Sequence, residues 1–288
     1  GLTNEEWNAL NEDPKKPLLN RFAQTYAPGS VFKPVTAAIG LTTGAITPET
    51  TINVNGLTWQ KESWGNYYVK RVSDYSEAID LNKALVYSDN IYFAQAALAI
   101  GEEAFLKQAE KFGFGRQLPV EFPVESSQIV EKSFQNDIQL ADSGYGQGQV
   151  EMSVLHVAIS YTPFVNEGHL IAPRLVLGES EKDRVLWQEN AISAEIAATI
   201  RQSLINVVND PKGTASDVRI PGMSLAGKTG TAELKETKEE KGEENGWFVA
   251  FDNDNPDLLV AMMIESVEDR NGSHYVVSKV KPIFEALR

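Results

Sequence analysis

The stretch Ala27-Pro28-Gly29-Ser30-Val31-Phe32-Lys33-Pro34 holds a hydroxyl and an amine three residues apart. Pro28-Gly29 breaks the preceding chain. Ser30 is a good N-cap residue, and the apolar run Val35, Ala37, Ala38 and Ile39 reads as a buried helix. Pro34 is tolerated only in a first turn, where its missing N–H would have no partner. The pattern predicts a helix starting at or very near Ser30, with Lys33 one turn on and on the same face. Such a pair can form an activated nucleophile. The serine attacks, and the lysine takes its proton if burial lowers the amine pKa. Helix-start amides favour the negative charge that develops there. S-x-x-K is also a common accident, a capping serine before a surface lysine, so the rest of the chain decides.

Two further groups carry chemistry. Ser88-Asp89-Asn90 is, at its plainest, a turn between helices with a capping residue. Read chemically, it would set a hydroxyl and an amide beside Ser30 and Lys33. Lys228-Thr229-Gly230-Thr231 lies on a strand candidate. Lys228 can hold a carboxylate, and the Thr229 and Thr231 hydroxyls can donate to the same group. Gly230 lacks a side chain, so a flat acyl group could approach the strand edge. Edge-strand N–H groups can also donate to an oxyanion.

Composition narrows the field. A length of 288 residues suits one large domain or two lobes sharing a core. With 40 acidic against 26 basic residues the net charge is −14, which argues against a nucleic-acid partner. Cys is absent, which excludes disulfides and thiolate chemistry. The three His residues stand far apart without ligand spacing, so neither a His triad nor a metal centre is expected. Ser143-Gly144-Tyr145-Gly146-Gln147-Gly148 lacks the G-x-G-x-x-G dinucleotide fingerprint, and no cofactor is expected. No run approaches the ~18 apolar residues that span a bilayer, and no signal peptide opens the chain.

The positioning elements read as follows. Thr3 to Glu6 could start a helix that Asp13-Pro14 stops. The Ser30 helix ends at Thr42-Thr43-Gly44. Residues 45–79 read as short β-like or irregular pieces, with Trp59, Trp64, Tyr67, Tyr68 and Tyr75 read as packing groups before substrate contacts. Asp80 could cap a helix carrying Leu81, Ala84 and Leu85. Helical runs follow over Ile91 to Ile100 and Gly101 to Phe112. Residues 115–150 read as loop-rich, followed by a helix from about Ser153 to Asn166, a strand-like piece from Arg174 to Leu177, and a long helix from Ser193 to about Asn209. Ser224 to Leu234, Gly246 to Asp252 and Leu258 to Glu265 are strand candidates with short polar links, which favours an antiparallel sheet. The link Lys235 to Asn245 reads as a solvated loop, and a helix from about Ser273 to Leu287 would close on the sheet.

Ser30-x-x-Lys33, Ser88-Asp89-Asn90 and Lys228-Thr229-Gly230, in that order, resemble the three-motif set of the penicillin-binding and serine β-lactamase superfamily. The 140-residue interval from Ser88 to Lys228 is long for a compact class A β-lactamase and suits a transpeptidase domain. The stretches around Ala27–Lys33, Tyr87–Phe93, Leu140–Gly148 and Gly227–Leu234 resemble class B penicillin-binding proteins of the low-affinity, methicillin-resistance type in Gram-positive bacteria.

The resemblance implies an α/β (α+β) fold, an antiparallel sheet flanked by helices plus a helical lobe. The helical lobe would span about residues 80–212, and the sheet lobe about 1–79 and 213–288. It implies Ser30 as the acylated nucleophile and Lys33 as its base. Ser88 and Asn90 would relay the proton and bind the substrate amide, while Asp89 supports the turn. Lys228, Thr229 and Thr231 would hold the substrate carboxylate beside Gly230. The amides of Ser30 and Thr231 would form the oxyanion hole, and Gly146, Gln147 and Gly148 would line the cleft. The implied ligands are the D-Ala-D-Ala end of a peptidoglycan stem peptide and β-lactam antibiotics, with other cell-wall synthesis proteins as partners. The implied location is the extracytoplasmic face of the membrane, held by an anchor upstream of this chain. Family members carry a helix and a β-hairpin before the serine, and no such stretch precedes Ser30 here. The sheet would then expose an edge and part of its apolar face. The rivals are a serine β-lactamase, for which Glu125 is the one acid considered as a water-activating base, and a non-catalytic β-lactam sensor.

Overall fold

The longest strands lie near the end of the chain and form one antiparallel sheet. The computed structural model describes residues 1–52, 54–176, 184–234 and 242–287. The helices are α1 (Asn4–Glu12), α2 (Lys33–Thr43), α3 (Leu81–Val86), α4 (Asn90–Ile100), α5 (Glu102–Ala109), α6 (Asp137–Ser143), α7 (Val154–Tyr161), α8 (Ala194–Asn209) and α9 (Ser273–Glu285). The strands are β1 (Thr25–Tyr26), β2 (Thr58–Trp59), β3 (Val69–Lys70), β4 (Met152–Ser153), β5 (Leu170–Ile171), β6 (Leu186–Gln188), β7 (Leu225–Leu234), β8 (Glu243–Asp252) and β9 (Leu259–Ile264). The main sheet has the order β7-β8-β9, and the other strands pair in twos: β1 with β4, β2 with β3, β5 with β6.

Local chemistry sets most helix starts. Thr3 and Glu6 form a reciprocal capping box on α1. Asp80, Asp89, Asn136, Ser153 and Ser193 each accept a first-turn backbone N–H of α3, α4, α6, α7 and α8. Gly44 ends α2 in the left-handed conformation (φ 72°, ψ 10°).

The core sits between α2 and the sheet. Every residue of α2 from Lys33 to Gly40 is buried, and the helix packs against α4, α5 and α8. A helix apolar on all sides is covered on all sides. In β8 the consecutive residues Asn245 to Phe251 are buried, so helices cover both faces of this central strand. Buried positions of α8 (Ala197, Ile200, Leu204, Val207, Val208) recur at helical spacing, and α7, α8 and α9 pack on the sheet. Among the described residues β9 pairs only with β8, and its half-buried residues line a shallow cavity with Phe22 and Val154. No described helix is long and apolar enough to cross a membrane.

Four expectations need correction. The chain from Gly29 to Phe32 is a 3₁₀ turn, and α2 begins at Lys33 with Phe32 as its N-cap, so Ser30 is not the cap. Residues 115–150 contain α6, whose seven residues are too few to show a periodicity. Arg174 to Val176 form no strand, and Leu175 and Val176 are exposed; Leu177 lies outside the described residues. Glu243, Glu244 and Asn245 continue β8 in register with Leu234, Glu233 and Ala232, and residues 235–241 lie outside the described residues.

Candidate active site

Gly29 begins the turn that carries Ser30. It has φ 55°, a left-handed value that glycine adopts without steric cost. A Cβ on Gly29 would stand 2.5 Å from the Thr231 carbonyl oxygen, and one on Gly146 2.1 Å from the Gly29 oxygen. The Gly29 N–H donates to the Gly146 carbonyl at 2.9 Å. Three backbones therefore meet without side chains between them: the nucleophile turn, the 144–148 loop and β7. Trp247 Nε1 donates to the Ala27 carbonyl (3.1 Å) and the Tyr161 hydroxyl to the Val31 carbonyl (2.7 Å), which fixes the turn from two further sides.

In the 3₁₀ turn the Lys33 N–H closes on the Ser30 carbonyl. Residues i and i+3 eclipse in such a turn, so Lys33 follows Ser30 on the same side. The Lys33 amine is fully buried. Its Nζ donates to the Ser88 carbonyl (2.6 Å), Ser88 Oγ (3.1 Å) and Asn90 Oδ1 (2.7 Å). Burial pushes this amine well below the usual lysine range, Lys228 pushes it further down, and Asp89 pulls it back up. The Ser30 hydroxyl has no hydrogen-bond partner among the described residues, although it opens onto the same cleft.

Lys228 reaches the same turn from β7. It too is fully buried, and Nζ donates to Ser88 Oγ (2.9 Å) and the Thr229 carbonyl (3.1 Å). Burial lowers its pKa to about 7. Asn90 Nδ2 donates to the Lys70 carbonyl at 2.8 Å, so the amide that meets Lys33 is held at both ends. Asp89 does not line the cleft; it caps α4 by accepting the Tyr92 N–H (3.0 Å) and pairs with Arg71 (3.2 Å) in a buried ion pair.

A cleft of about 330 Å³ is lined by Ser30, Ser88, Asn90, Gln147, Thr229, Gly230 and Thr231. Lys33 and Lys228 stand behind its wall and touch it through Ser88. Gly146 lies behind Gly29 and does not line this cleft, while Gly148 lines a neighbouring cavity with Asn90, Tyr145 and Gln147. A Cβ on Gly230 would press on Val31 and the Pro28 carbonyl at 3.0–3.1 Å. That glycine therefore also admits the nucleophile turn, while it lines the cleft.

Three contributors have no motif to announce them. Thr214 accepts a hydrogen bond from the Thr229 hydroxyl (2.7 Å) and lines the cleft. Asn271 to His274, at the start of α9, form another part of the lining. Tyr75 stacks on Tyr87 (centroids 3.8 Å apart, planes at 18°), and both line the cleft. Tyr75 is thus a cleft residue, whereas Trp59, Trp64 and Tyr67 pack edge-to-face on one another. Glu125 accepts from the Thr25 N–H at 3.2 Å and does not line the cleft.

The family profile described as the penicillin-binding protein transpeptidase domain matches residues 3–287. The chain belongs to this family. It is 48% identical over 288 residues to penicillin-binding protein 3 of Bacillus subtilis, covering 99% of this chain and 43% of that protein. It is 28% identical over 299 residues to the peptidoglycan D,D-transpeptidase MrdA of Haemophilus influenzae, covering 92% and 45%. The chain thus spans less than half the length of these two relatives. Penicillin-binding protein A of M. tuberculosis, solved as a ceftriaxone acyl-enzyme, superposes with a TM-score of 0.86 at 26% identity, over 98% of this chain and 65% of that one. The mixed fold of helices around an antiparallel sheet is that of a penicillin-binding protein transpeptidase domain.

Proposed function

We propose that this transpeptidase domain transfers an acyl group from the D-Ala-D-Ala end of a peptidoglycan stem peptide, through an ester on Ser30, to an amine of a neighbouring stem. The observation that carries this reading is the Ser88 hydroxyl, bonded to two buried lysines in a cleft that also contains Ser30. A neutral Lys33 has two N–H groups and one lone pair. Its two shortest bonds go to carbonyl oxygens, which can only accept. The lone pair is then free for the Ser30 proton, and the third N–H so gained meets the Ser88 hydroxyl oxygen, which opens a proton path from Lys33 through Ser88.

In the first half-reaction Ser30 Oγ attacks the penultimate D-Ala carbonyl and Lys33 takes the proton. The N–H groups of Ser30 and Thr231 receive the oxyanion. The intermediate collapses, the C–N bond breaks, and the departing D-Ala amine takes a proton relayed through Ser88. In the second half-reaction the acceptor amine attacks the ester and gives up a proton to Lys33, the C–O bond to Ser30 breaks, and Lys33 returns a proton to Ser30 Oγ. Thr229 and Thr231, which line the cleft, hold the terminal carboxylate, with the Lys228 charge behind Ser88 attracting it. A carboxylate beside Lys228 restores that lysine's charge, since an opposite charge favours the ionised amine. A β-lactam acylates Ser30 in the same way and leaves a slow ester. Because the stem peptide lies outside the membrane, the whole protein would act on the extracytoplasmic face.

Intact mass after benzylpenicillin treatment tests this. The chain is expected to gain one penicilloyl group that persists for hours, and Ser30→Ala to gain none. Labelling that survives in Ser30→Ala overturns the nucleophile assignment, and rapid loss of the adduct favours hydrolysis. Glu125, the acid considered for activating water, is engaged on Thr25 and does not line the cleft.

A further inference from the structure

We propose that Arg71 is a positioning residue for the acylation of Ser30, holding the Ser88–Asn90 turn in place through Asp89; this rests on the reading given under Proposed function. The Arg71 side chain is almost completely buried and uses its guanidinium on four acceptors. Nε donates to the Gly56 carbonyl (2.9 Å), Nη2 to the Val54 carbonyl (2.6 Å) and to Asp74 Oδ1 (2.8 Å), and Nη1 to Asp89 Oδ2 (3.2 Å). A planar fork spans such a set, and an ammonium cannot.

The neighbours of Arg71 address the same turn. The Lys70 carbonyl accepts from Asn90 Nδ2, and Val72 lines the cleft. Residues 70 and 71 thus hold the amide and the carboxylate that follow Ser88. The turn needs holding, because Ser88 is a non-glycine residue at φ 57°. Residues in that region persist only where their surroundings over-determine them. The outer side of the turn is fixed by Arg71 and Lys70, and the inner side presents the Ser88 carbonyl, Ser88 Oγ and Asn90 Oδ1 to Lys33.

Arg71 also sets the charge seen by the base. The charged groups facing Lys33 are Lys228 from β7 and Asp89 from the turn, and the Phe93 ring of α4 stands 5.8 Å away. Arg71 neutralises Asp89, with Asp74 behind it. Without the guanidinium, the unpaired Asp89 carboxylate favours the Lys33 ammonium, which cannot accept the Ser30 proton.

The test is the second-order rate constant of benzylpenicillin acylation from pH 5 to 9 for wild type, Arg71→Met, Arg71→Lys and the double variant Arg71→Met/Asp89→Asn. Folding is checked by circular dichroism, and rates are referred to the folded fraction. Arg71→Met is expected to slow acylation ~10–100-fold, as for loss of positioning. Its acid limb should move up by about half to one pH unit, as expected for an unpaired neighbouring charge. Arg71→Lys should restore the limb but only part of the rate, and the double variant should restore the limb. An unmoved limb in Arg71→Met, or a wild-type rate per folded molecule, overturns the proposal. If Arg71→Met does not fold, a wild-type rate in Arg71→Lys overturns it. Wild-type protein that takes no penicilloyl group refutes the transpeptidase reading instead.

Discussion

Lys33 and Lys228 share one acceptor: the Ser88 hydroxyl oxygen lies 3.1 Å from the first amine and 2.9 Å from the second. Two buried ammonium groups on one oxygen repel, so the site favours one proton on the pair. On the proposed function, a substrate carboxylate near Lys228 would hold that proton there, and the resulting charge would keep Lys33 neutral. Binding the substrate would thus prepare the base.

Removing the base should slow the first step without unfolding the chain. Lys33→Ala is expected to lower the penicillin acylation rate constant by roughly 10²-fold or more, the usual loss when a general base is deleted. Stopped-flow acylation measures it, and wild-type rates would contradict the role.

The shared acceptor implies a pH effect of known sign. Lys228 pushes the Lys33 amine down, so Lys228→Met should let it rise. The acid limb of acylation is then expected to move up by about one pH unit, the scale of one close charge. A limb that stays in place or moves down would show that the two amines do not interact.

Close backbone packing at Gly29 can be separated from its left-handed conformation. Gly44 is also left-handed, but a Cβ there meets nothing within 4 Å. Gly44→Ala should cost about 1 kcal/mol, the backbone term alone. Gly29→Ala should cost about 2–4 kcal/mol, because the Thr231 carbonyl must also move. Urea titrations of both variants give the comparison, and equal losses would refute the packing account.

His156 should make the fold sensitive to mild acid. Its ring is fully buried between Phe114 and Trp187, Nε2 donates to the Phe112 carbonyl at 2.7 Å, and Nδ1 has no partner among the described residues. Burial lowers its pKa from 6.5 to about 4. The unfolded chain therefore binds this proton first as the pH falls. The stability contribution is whole above pH 6.5 and declines towards pH 4, by on the order of 3 kcal/mol. His156→Gln should flatten that part of the stability–pH curve, and an unchanged slope would mean that other groups cause it.

The parts of the site that were legible in the sequence are those built from contiguous residues. Ser30 and Lys33, Ser88 to Asn90, and Lys228 to Thr231 each occupy one turn or one strand, where spacing alone fixes proximity. Helix starts at Asp80, Asp89 and Ser193 were legible for the same reason, since a cap acts over three residues. Arg71 was not, because its partner Asp89 lies 18 residues on and the ion pair exists only once β3 meets the turn. Thr214 was hidden likewise, reaching Thr229 only after α8 brings the chain back to β7. Ser30 was misread as a helix cap because the left-handed Gly29 tightens the following turn to 3₁₀ before α2 begins.

Ser88 occupies a backbone conformation that costs most side chains about 1–2 kcal/mol. A glycine would sit there without steric conflict, yet it carries no oxygen for the two amines. Heat tolerance and turnover therefore pull this position in opposite directions. Selection for thermal resistance alone would be expected to discard the hydroxyl, and a chain improved in that way would hold its shape longer while losing its chemistry.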